Sequence, residues 1–294
     1  MPSQAGKRIL VTGGTGGLGW QAALGLARGG ASVTLTARTE AKGRDAVARI
    51  LAAAPGVDIR FGVLDLSSMA SVRVFAAEEL LDGRPIDVLI HNAGVMAIRR
   101  RTLSEGGYEM QFATNVLGPF ALAGLLLPRI LAAPAPRVIT VSSSVHGSAG
   151  PLQMDNLNSE RSYHPLKTYA QTKLINALYG RELQRRAGSK LLSLIVHPGY
   201  AKTDLLFRDP TLMMKVLTFI FWSVSQSAAQ GAWPILYAAT GSAVKPGAYY
   251  GPDKLGGIRG NVSVAPLSKP ALDQDSGKTL FSTLERISSV TYAL

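Results

Sequence analysis

The 294 residues are 47% hydrophobic and 17% charged and include 31 glycines, a balance that excludes intrinsic disorder and suits a buried parallel sheet with tight turns. There is no cysteine, so disulfides, thiolate metal sites and a cysteine nucleophile are excluded. A net charge of +12 admits an anionic ligand, but the densest basic run is Arg99-Arg100-Arg101, with no zinc-finger spacing and no basic helix interleaved with aromatics, so nucleic acid is not an expected partner.

The N-terminus has a charged start but no apolar signal core or cleavage pattern, and a cytoplasmic location is expected. Arg8 to Thr12 reads as a buried strand that runs into a glycine loop and a helix from Gly17 to Arg28. Ser32 to Ala37 is a second strand, and Ala41 to Ala54 a helix stopped by Pro55-Gly56. Ile59 to Leu64 is a third strand, Ser67 to Leu81 a serine-capped helix closing near Gly83, and Ile86 to His91 a fourth strand. Helical periodicity then runs from Gly107 to Leu131 despite Gly118-Pro119. A fifth strand (Arg137 to Val141), a long helix (Pro165 to Arg186) and a sixth strand (Leu191 to Val196) follow. Ser227 to Thr240 reads as a helix and Ala248 to Tyr250 as a last short strand. The tail beyond about Gly260 reads as irregular until helical character returns near Leu280 to Ile287.

This alternation predicts an α/β chain: one Rossmann domain over residues 1–294, a doubly wound parallel sheet of about seven strands with helices on both faces. The apolar stretch from Leu212 to Val224 contains Lys215 and falls short of the roughly 20 residues of a membrane span. No transmembrane span is expected. Segment 204–225 reads as an apolar substrate lid, with a membrane-surface or subunit contact as alternatives.

The loop Thr12-Gly13-Gly14-Thr15-Gly16-Gly17-Leu18-Gly19 joins the first strand to the first helix in a GxxxGxG spacing. Glycines there leave room for a pyrophosphate against the backbone, and the helix N-terminus offers N–H groups and a positive dipole end. The bland alternative is a glycine-rich turn. At the end of the second strand stands Ala37-Arg38 in place of an acidic ribose ligand. An arginine fork there suits the 2′-phosphate of NADP(H) over NAD(H), although Glu40 lies close by in sequence and Arg38 could simply be exposed.

Tyr169 and Lys173 stand at i and i+4, on one helix face. A nearby ammonium favours the phenolate and would bring the tyrosine into range for proton transfer; alone, such a pair is more often a solvated face. Ser142-Ser143-Ser144 lie just past the fifth strand, at the carboxyl edge where ligands sit in open α/β sheets, or cap a loop. His91, His146, His164 and His197 form no metal-ligand spacing. His91 and His197 read as packed, while His146 and His164 flank the serine and tyrosine motifs.

Taken in order, the glycine loop, Asp65-Leu66, Asn92-Ala93-Gly94, Asn115-Val116, the serine run, Tyr169-Ala170-Gln171-Thr172-Lys173, and Pro198-Gly199 followed by Thr203 resemble the short-chain dehydrogenase/reductase family from Lys7 to about Gly260. Asn92 to Met96, Thr114 to Phe120 and Val196 to Gly199 resemble its retinol-dehydrogenase-like branch, as does a long Ser143-to-Tyr169 gap, which implies an insertion such as Met154 to His164 beside the active site. Pro119 departs from the histidine expected in that branch. Thr15 departs from the polar or basic residues that many NADP-dependent relatives place in the loop.

The resemblance implies a catalytic set of Asn115, Ser143, Tyr169 and Lys173. Tyr169 would be the general acid/base and Lys173 would depress its pKa and hold the nicotinamide ribose. Ser143 would polarise a carbonyl, and Asn115 would support a proton-relaying water. It implies cofactor contacts from Gly13, Thr15, Gly17, Leu18, Gly19, Arg38, Asp65, Leu66, Asn92, Ala93, Gly94, Pro198, Gly199 and Thr203 as well as Tyr169 and Lys173. The implied activity is NADP(H)-linked hydride transfer to or from a carbonyl or alcohol of a small apolar substrate, with no metal, in a monomer or a homo-oligomer. A non-catalytic dinucleotide sensor or scaffold and a C=C reductase are the alternatives on the same fold.

Overall fold

The computed structural model describes residues 1–201 and 225–294. Every residue of Arg8–Val11 and Val88–His91 is buried, and a sheet with such strands needs helices on both faces. In chain order the elements are β1 (Arg8–Val11), α1 (Gly17–Arg28), β2 (Ser32–Ala37), α2 (Glu40–Ala53), β3 (Ile59–Val63), α3 (Met69–Asp82), β4 (Val88–His91), α4 (Met110–Leu131), β5 (Arg137–Val141), α5 (Pro165–Ala187), β6 (Leu192–Val196), α6 (Ala228–Gly231), α7 (Trp233–Thr240), β7 (Tyr249–Lys254), β8 (Arg259–Val264), α8 (Lys269–Leu272) and α9 (Gln274–Ser288). The sheet runs β3-β2-β1-β4-β5-β6-β7-β8, parallel except for β8, which pairs antiparallel with β7. The order reverses between β1 and β4, and the crevice at their carboxyl ends is where such sheets bind ligands.

The doubly wound Rossmann architecture is as expected, with eight strands where about seven were read. The added strand, β8, lies in the tail expected to be irregular. It is a partly exposed edge strand rich in polar residues and glycine, so it carries no apolar run. The helix expected from Ser227 to Thr240 divides at Ala232, because Pro234 stands in the first turn of α7 and has no N–H to continue α6. Gly83 closes α3 in the left-handed conformation, and Ser68 caps its start.

Two cores flank the sheet. One gathers Phe75, Phe112, Phe120 and Phe281 beneath α3, α4, α5 and α9; the other gathers Leu26, Ile50, Ile90 and Ile235 beneath α1, α2 and α7. Among the described residues, α4 alone is long and apolar enough to cross a membrane, but 83% of its most apolar stretch is buried within the fold, which makes it a core helix. The tail closes over the same core. Tyr292 Oη donates to Phe120 O at 2.6 Å and lies 3.0 Å from Tyr179 Oη.

Helix α4 crosses the end of β3 at Gly118, where a Cβ would lie 2.0 Å from the Leu66 carbonyl oxygen. Backbone cannot yield as a flexible side chain can, so Gly118→Ala is expected to cost about 1–3 kcal/mol in urea or thermal unfolding. Gly147→Ala, with nothing within 4 Å of its added Cβ, should leave stability unchanged. Equal melting of the two variants would contradict this account of the crossing.

Candidate active site

The carboxyl ends of β1 and β4 are joined by one hydroxyl. Thr12 Oγ1 donates to Ile90 O at 3.2 Å and accepts from the N–H groups of Asn92 and Ala93 at 3.0 and 3.1 Å. Asn92 Nδ2 returns bonds to the carbonyls of Thr12 and Gly13 at 2.9 and 3.2 Å. The glycine loop is thereby held against the Asn92–Gly94 turn. Gly13 has φ +70°, and a Cβ there would lie 2.8 Å from Ala93 Cα; a Cβ on Gly19 would meet Gly13 O at 2.4 Å. Helix α1 starts at Gly17 with no side chain capping its N–H groups. Tight backbone and free N–H groups fit a dinucleotide pyrophosphate.

Arg38 is exposed at the end of β2 and has no hydrogen-bond or ion-pair partner among the described residues. Glu40, two residues on, is held by Arg44 at 2.8 Å and does not neutralise it. A second guanidinium approaches the loop from α2. Arg49 Nη2 donates to Thr15 O at 2.6 Å, and its guanidinium carbon lies 5.4 Å from the Trp20 ring centroid. Arg49 carries no motif signal, since its contact spans two elements.

Tyr169 and Lys173 face the end of β5. Lys173 Nζ donates to Val141 O at 2.9 Å and lies 5.6 Å from the Tyr169 ring centroid. Ser142 Oγ ties the helix to the strand through Lys173 O at 2.7 Å. Ser143 stands just past the end of β5, and its hydroxyl accepts from Val145 N at 3.3 Å. Asn115 lies in a π-helical turn (Ala113–Leu117) of α4, a feature frequent at functional sites. Its side chain is engaged with the Val95 N–H and C=O at 2.8 and 2.9 Å and with Thr172 Oγ1 at 3.1 Å. Asn115 therefore braces the turn after Gly94.

Burial dominates the electrostatics. It pushes the Tyr169 phenol above its ordinary range, with the Ser143 hydrogen bond pulling the other way, and it pulls Lys173 down to about 8. The lowering of Tyr169 by Lys173 that i, i+4 spacing implies is not the leading effect. That expectation assumed solvated charges, whereas both groups here are desolvated and Lys173 is bonded to a backbone carbonyl.

The histidines divide unexpectedly. His164 is an exposed cap of α5, accepting from Lys167 N at 3.4 Å. His146 is buried behind Ser143, with Nδ1 bonded to Ser143 O at 2.8 Å and Nε2 accepting from Ser268 N at 3.1 Å. Since Nε2 accepts from a backbone N–H, Nδ1 carries the proton of the neutral ring. His91 and His197 are buried as expected; neither ring nitrogen of His91 has a partner among the described residues, while His197 Nδ1 accepts from Gly199 N at 3.4 Å.

Asp65 Oδ1 accepts from Ser67 N and Oγ at 2.9 and 2.7 Å, and Leu66 is buried beneath Gly118. Gly94 adjoins the tetrad: a Cβ there would lie 3.1 Å from Asn115 Oδ1 and 3.8 Å from Lys173 Nζ. Pro198 and Gly199 follow β6, where Gln226 Nε2 donates to Pro198 O at 2.5 Å. Thr203 and all but the end of the 204–225 segment lie outside the described residues. The insertion around Met154 to His164 borders a cavity of about 390 Å³ lined by Phe112, Gln153, Tyr163, Lys167 and Gln171. Ser143, Tyr169 and Lys173 do not line it, while their helix neighbours Thr168 and Thr172 do. Among the described residues no group of three or more His, Asp or Glu could hold a metal.

A family model for short chain dehydrogenase matches residues 7–155. Mouse polyprenol dehydrogenase is 37% identical over 246 residues, covering 81% of this chain and 73% of that protein. Human retinol dehydrogenase 13 is 38% identical over 247 residues, covering 81% and 74%. Among solved structures, an uncharacterised protein from Mycobacterium paratuberculosis is 35% identical, with a TM-score of 0.81 over 100% of this chain and 97% of that one. A Shigella flexneri short chain dehydrogenase complexed with NADP has a TM-score of 0.64 at 23% identity over 83% and 96% of the two chains, which shows a likeness of fold alone.

Burial pulls His91 down to about 3 and His197 to about 4 from an ordinary 6.5. The unfolded chain therefore binds more protons below 6.5, and the stability these groups contribute is lost as pH falls. Glu79 and Glu109, pushed up by burial, act in the opposite sense, so the comparison must be between variants. The stability of the natural chain relative to His91→Asn is expected to fall by roughly 1.4 kcal/mol per pH unit between 6.5 and 4.5. Denaturant unfolding at several pH values checks this, and a pH-independent difference would sink it.

Proposed function

Because the chain belongs to the short-chain dehydrogenase family, on its retinol-dehydrogenase-like branch, we propose that it is an NADP(H)-dependent oxidoreductase acting on the carbonyl or alcohol group of an apolar substrate, with Tyr169 as general acid/base. The observation that carries this reading is Lys173, anchored to Val141 O at 2.9 Å with its ammonium 5.6 Å from the Tyr169 ring centroid, at the carboxyl edge that bears Ser143 and the glycine cradle. The relatives' names, polyprenol and retinol dehydrogenase, favour an isoprenoid alcohol or the matching aldehyde as substrate.

The two hydroxyls give a substrate oxygen two hydrogen-bonding partners. Ser143 polarises the carbonyl, and Tyr169 transfers its proton to the oxygen in reduction or takes it back in oxidation. When bound, the nicotinamide supplies or accepts the hydride. Lys173 donates to Val141 O and keeps further ammonium protons for ribose hydroxyls and for reprotonating Tyr169. Burial keeps the resting phenol protonated, which suits a proton donor. Arg38, unpaired and exposed at the end of β2, supports the choice of a 2′-phosphate.

The test is NADPH oxidation, followed by absorbance, against apolar aldehydes and ketones including isoprenoid ones. Tyr169→Phe is expected to lower kcat by roughly 10²–10⁴-fold. Arg38→Ala is expected to raise the KM for NADPH by about 10–100-fold and leave that for NADH unchanged. Dinucleotide binding without turnover on any of these substrates would favour a sensor, and equal use of both dinucleotides would remove Arg38 as the selector.

A further inference from the structure

Three residues past Gly94 the backbone takes an unusual shape. Ala97 has φ +53°, in the left-handed region that an alanine rarely enters, and such strain persists only where the surroundings hold it. Side chains do the holding. Gln111, fully buried on α4, accepts from Ala97 N at 2.9 Å through Oε1. Its Nε2 donates to Tyr163 Oη at 3.3 Å and to Pro165 O at 3.2 Å, at the first residue of α5 and one turn ahead of Tyr169. Tyr163 Oη in turn donates to Ile98 O, which closes the circuit. Further along, Arg101 Nε and Nη2 donate to Asn158 O at 3.2 and 3.1 Å. Tyr163 and Asn158 both belong to the insertion between Ser143 and Tyr169, which therefore grips the 97–101 segment at two points.

The gripped segment borders the reacting groups. Val95 to Ile98 are four consecutive apolar residues, each half-buried, and they follow the glycine whose added Cβ would lie 3.8 Å from Lys173 Nζ. An apolar strip left partly open at that point fits contact with an apolar substrate. Asn115 fixes its first residue through both backbone groups of Val95, and Gln111 and Tyr163 fix its third and fourth.

We propose that Gln111 and Tyr163 are positioning residues for substrate specificity: they hold Val95 to Ile98 in a strained shape, as an apolar wall against which the body of a long apolar substrate packs. The proposal rests on the oxidoreductase reading of the same site. Glycine at position 97 would take this shape without support, whereas alanine makes the wall depend on the two side chains that grip it. Burial pushes the Tyr163 phenol up to about 12, so it remains a donor at neutral pH.

The test follows NADPH oxidation with farnesal, a long isoprenoid aldehyde, in the natural chain and in Tyr163→Phe, which keeps the ring and removes the bond to Ile98 O. The KM for farnesal is expected to rise about 2–10-fold, the range that one hydrogen bond supports, with kcat and the KM for NADPH unchanged. A role in folding alone would lower the active fraction, and so kcat, without moving KM. In an Ala97→Gly background the same substitution should raise KM less, because glycine enters the left-handed region unaided. An unchanged KM for farnesal in Tyr163→Phe, or an equal rise in the Ala97→Gly background, would overturn the proposal and leave the proposed function standing. Absence of farnesal turnover in the natural chain would overturn both.

Discussion

The hydroxyl of Thr12 is the contact on which the site depends. It stands where the sheet reverses direction and bonds to three backbone groups of the neighbouring strand end. Together with the Asn92 amide it holds the glycine loop against the Asn92–Gly94 turn, and a cradle built from backbone N–H groups works only if that backbone is held. Small residues then become obligatory. Gly13 lies against Ala93, and Gly94 lies between Asn115 and Lys173, so side chains there would drive the two halves of the cleft apart.

From this junction the structure separates holding from reacting. The groups that hold are bonded on both sides: Asn115 to Val95 and Thr172, Ser142 to Lys173 O, His146 to Ser143 and Ser268. The groups that would react retain free capacity, as in the Tyr169 and Ser143 hydroxyls and the remaining protons of Lys173. Such division is what preorganisation requires, because the geometry is set during folding and little reorganisation remains for the chemical step. Its electrostatic counterpart is that burial disfavours charge on both Tyr169 and Lys173, so the site prefers neutrality until a charged partner or a developing oxyanion enters.

Legibility in the sequence followed the range of the interactions. The glycine loop, the Tyr169–Lys173 pair and the buried strands are local patterns with a spacing or a period, and they stand where they were read. Thr12 and His146 were marked by their motifs, but their hydrogen-bond partners were not. Thr12 resembles any strand-end threonine. The role of His146 requires Ser268, 122 positions away. The edge strand β8 was hidden for another reason: a strand paired on one side does not need the apolar run by which buried strands are recognised. The burial of Tyr169 and Lys173 is not legible in their spacing, which gives a neighbour but not its surroundings.

The same long-range contacts tie the C-terminal region to the candidate site. The Ser268 N–H fixes the His146 tautomer, and that imidazole fixes the Ser143 carbonyl. Helix α9 and Tyr292 lie against α4 and α5, the helices that carry Asn115, Tyr169 and Lys173. Tyr292 reaches both Phe120 O and Tyr179 Oη. Between the two hydroxyls and the outer surface of the molecule there is thus a second layer contributed by residues beyond 264. Burial of Tyr169 and Lys173, which their spacing does not convey, disfavours the charged form of each.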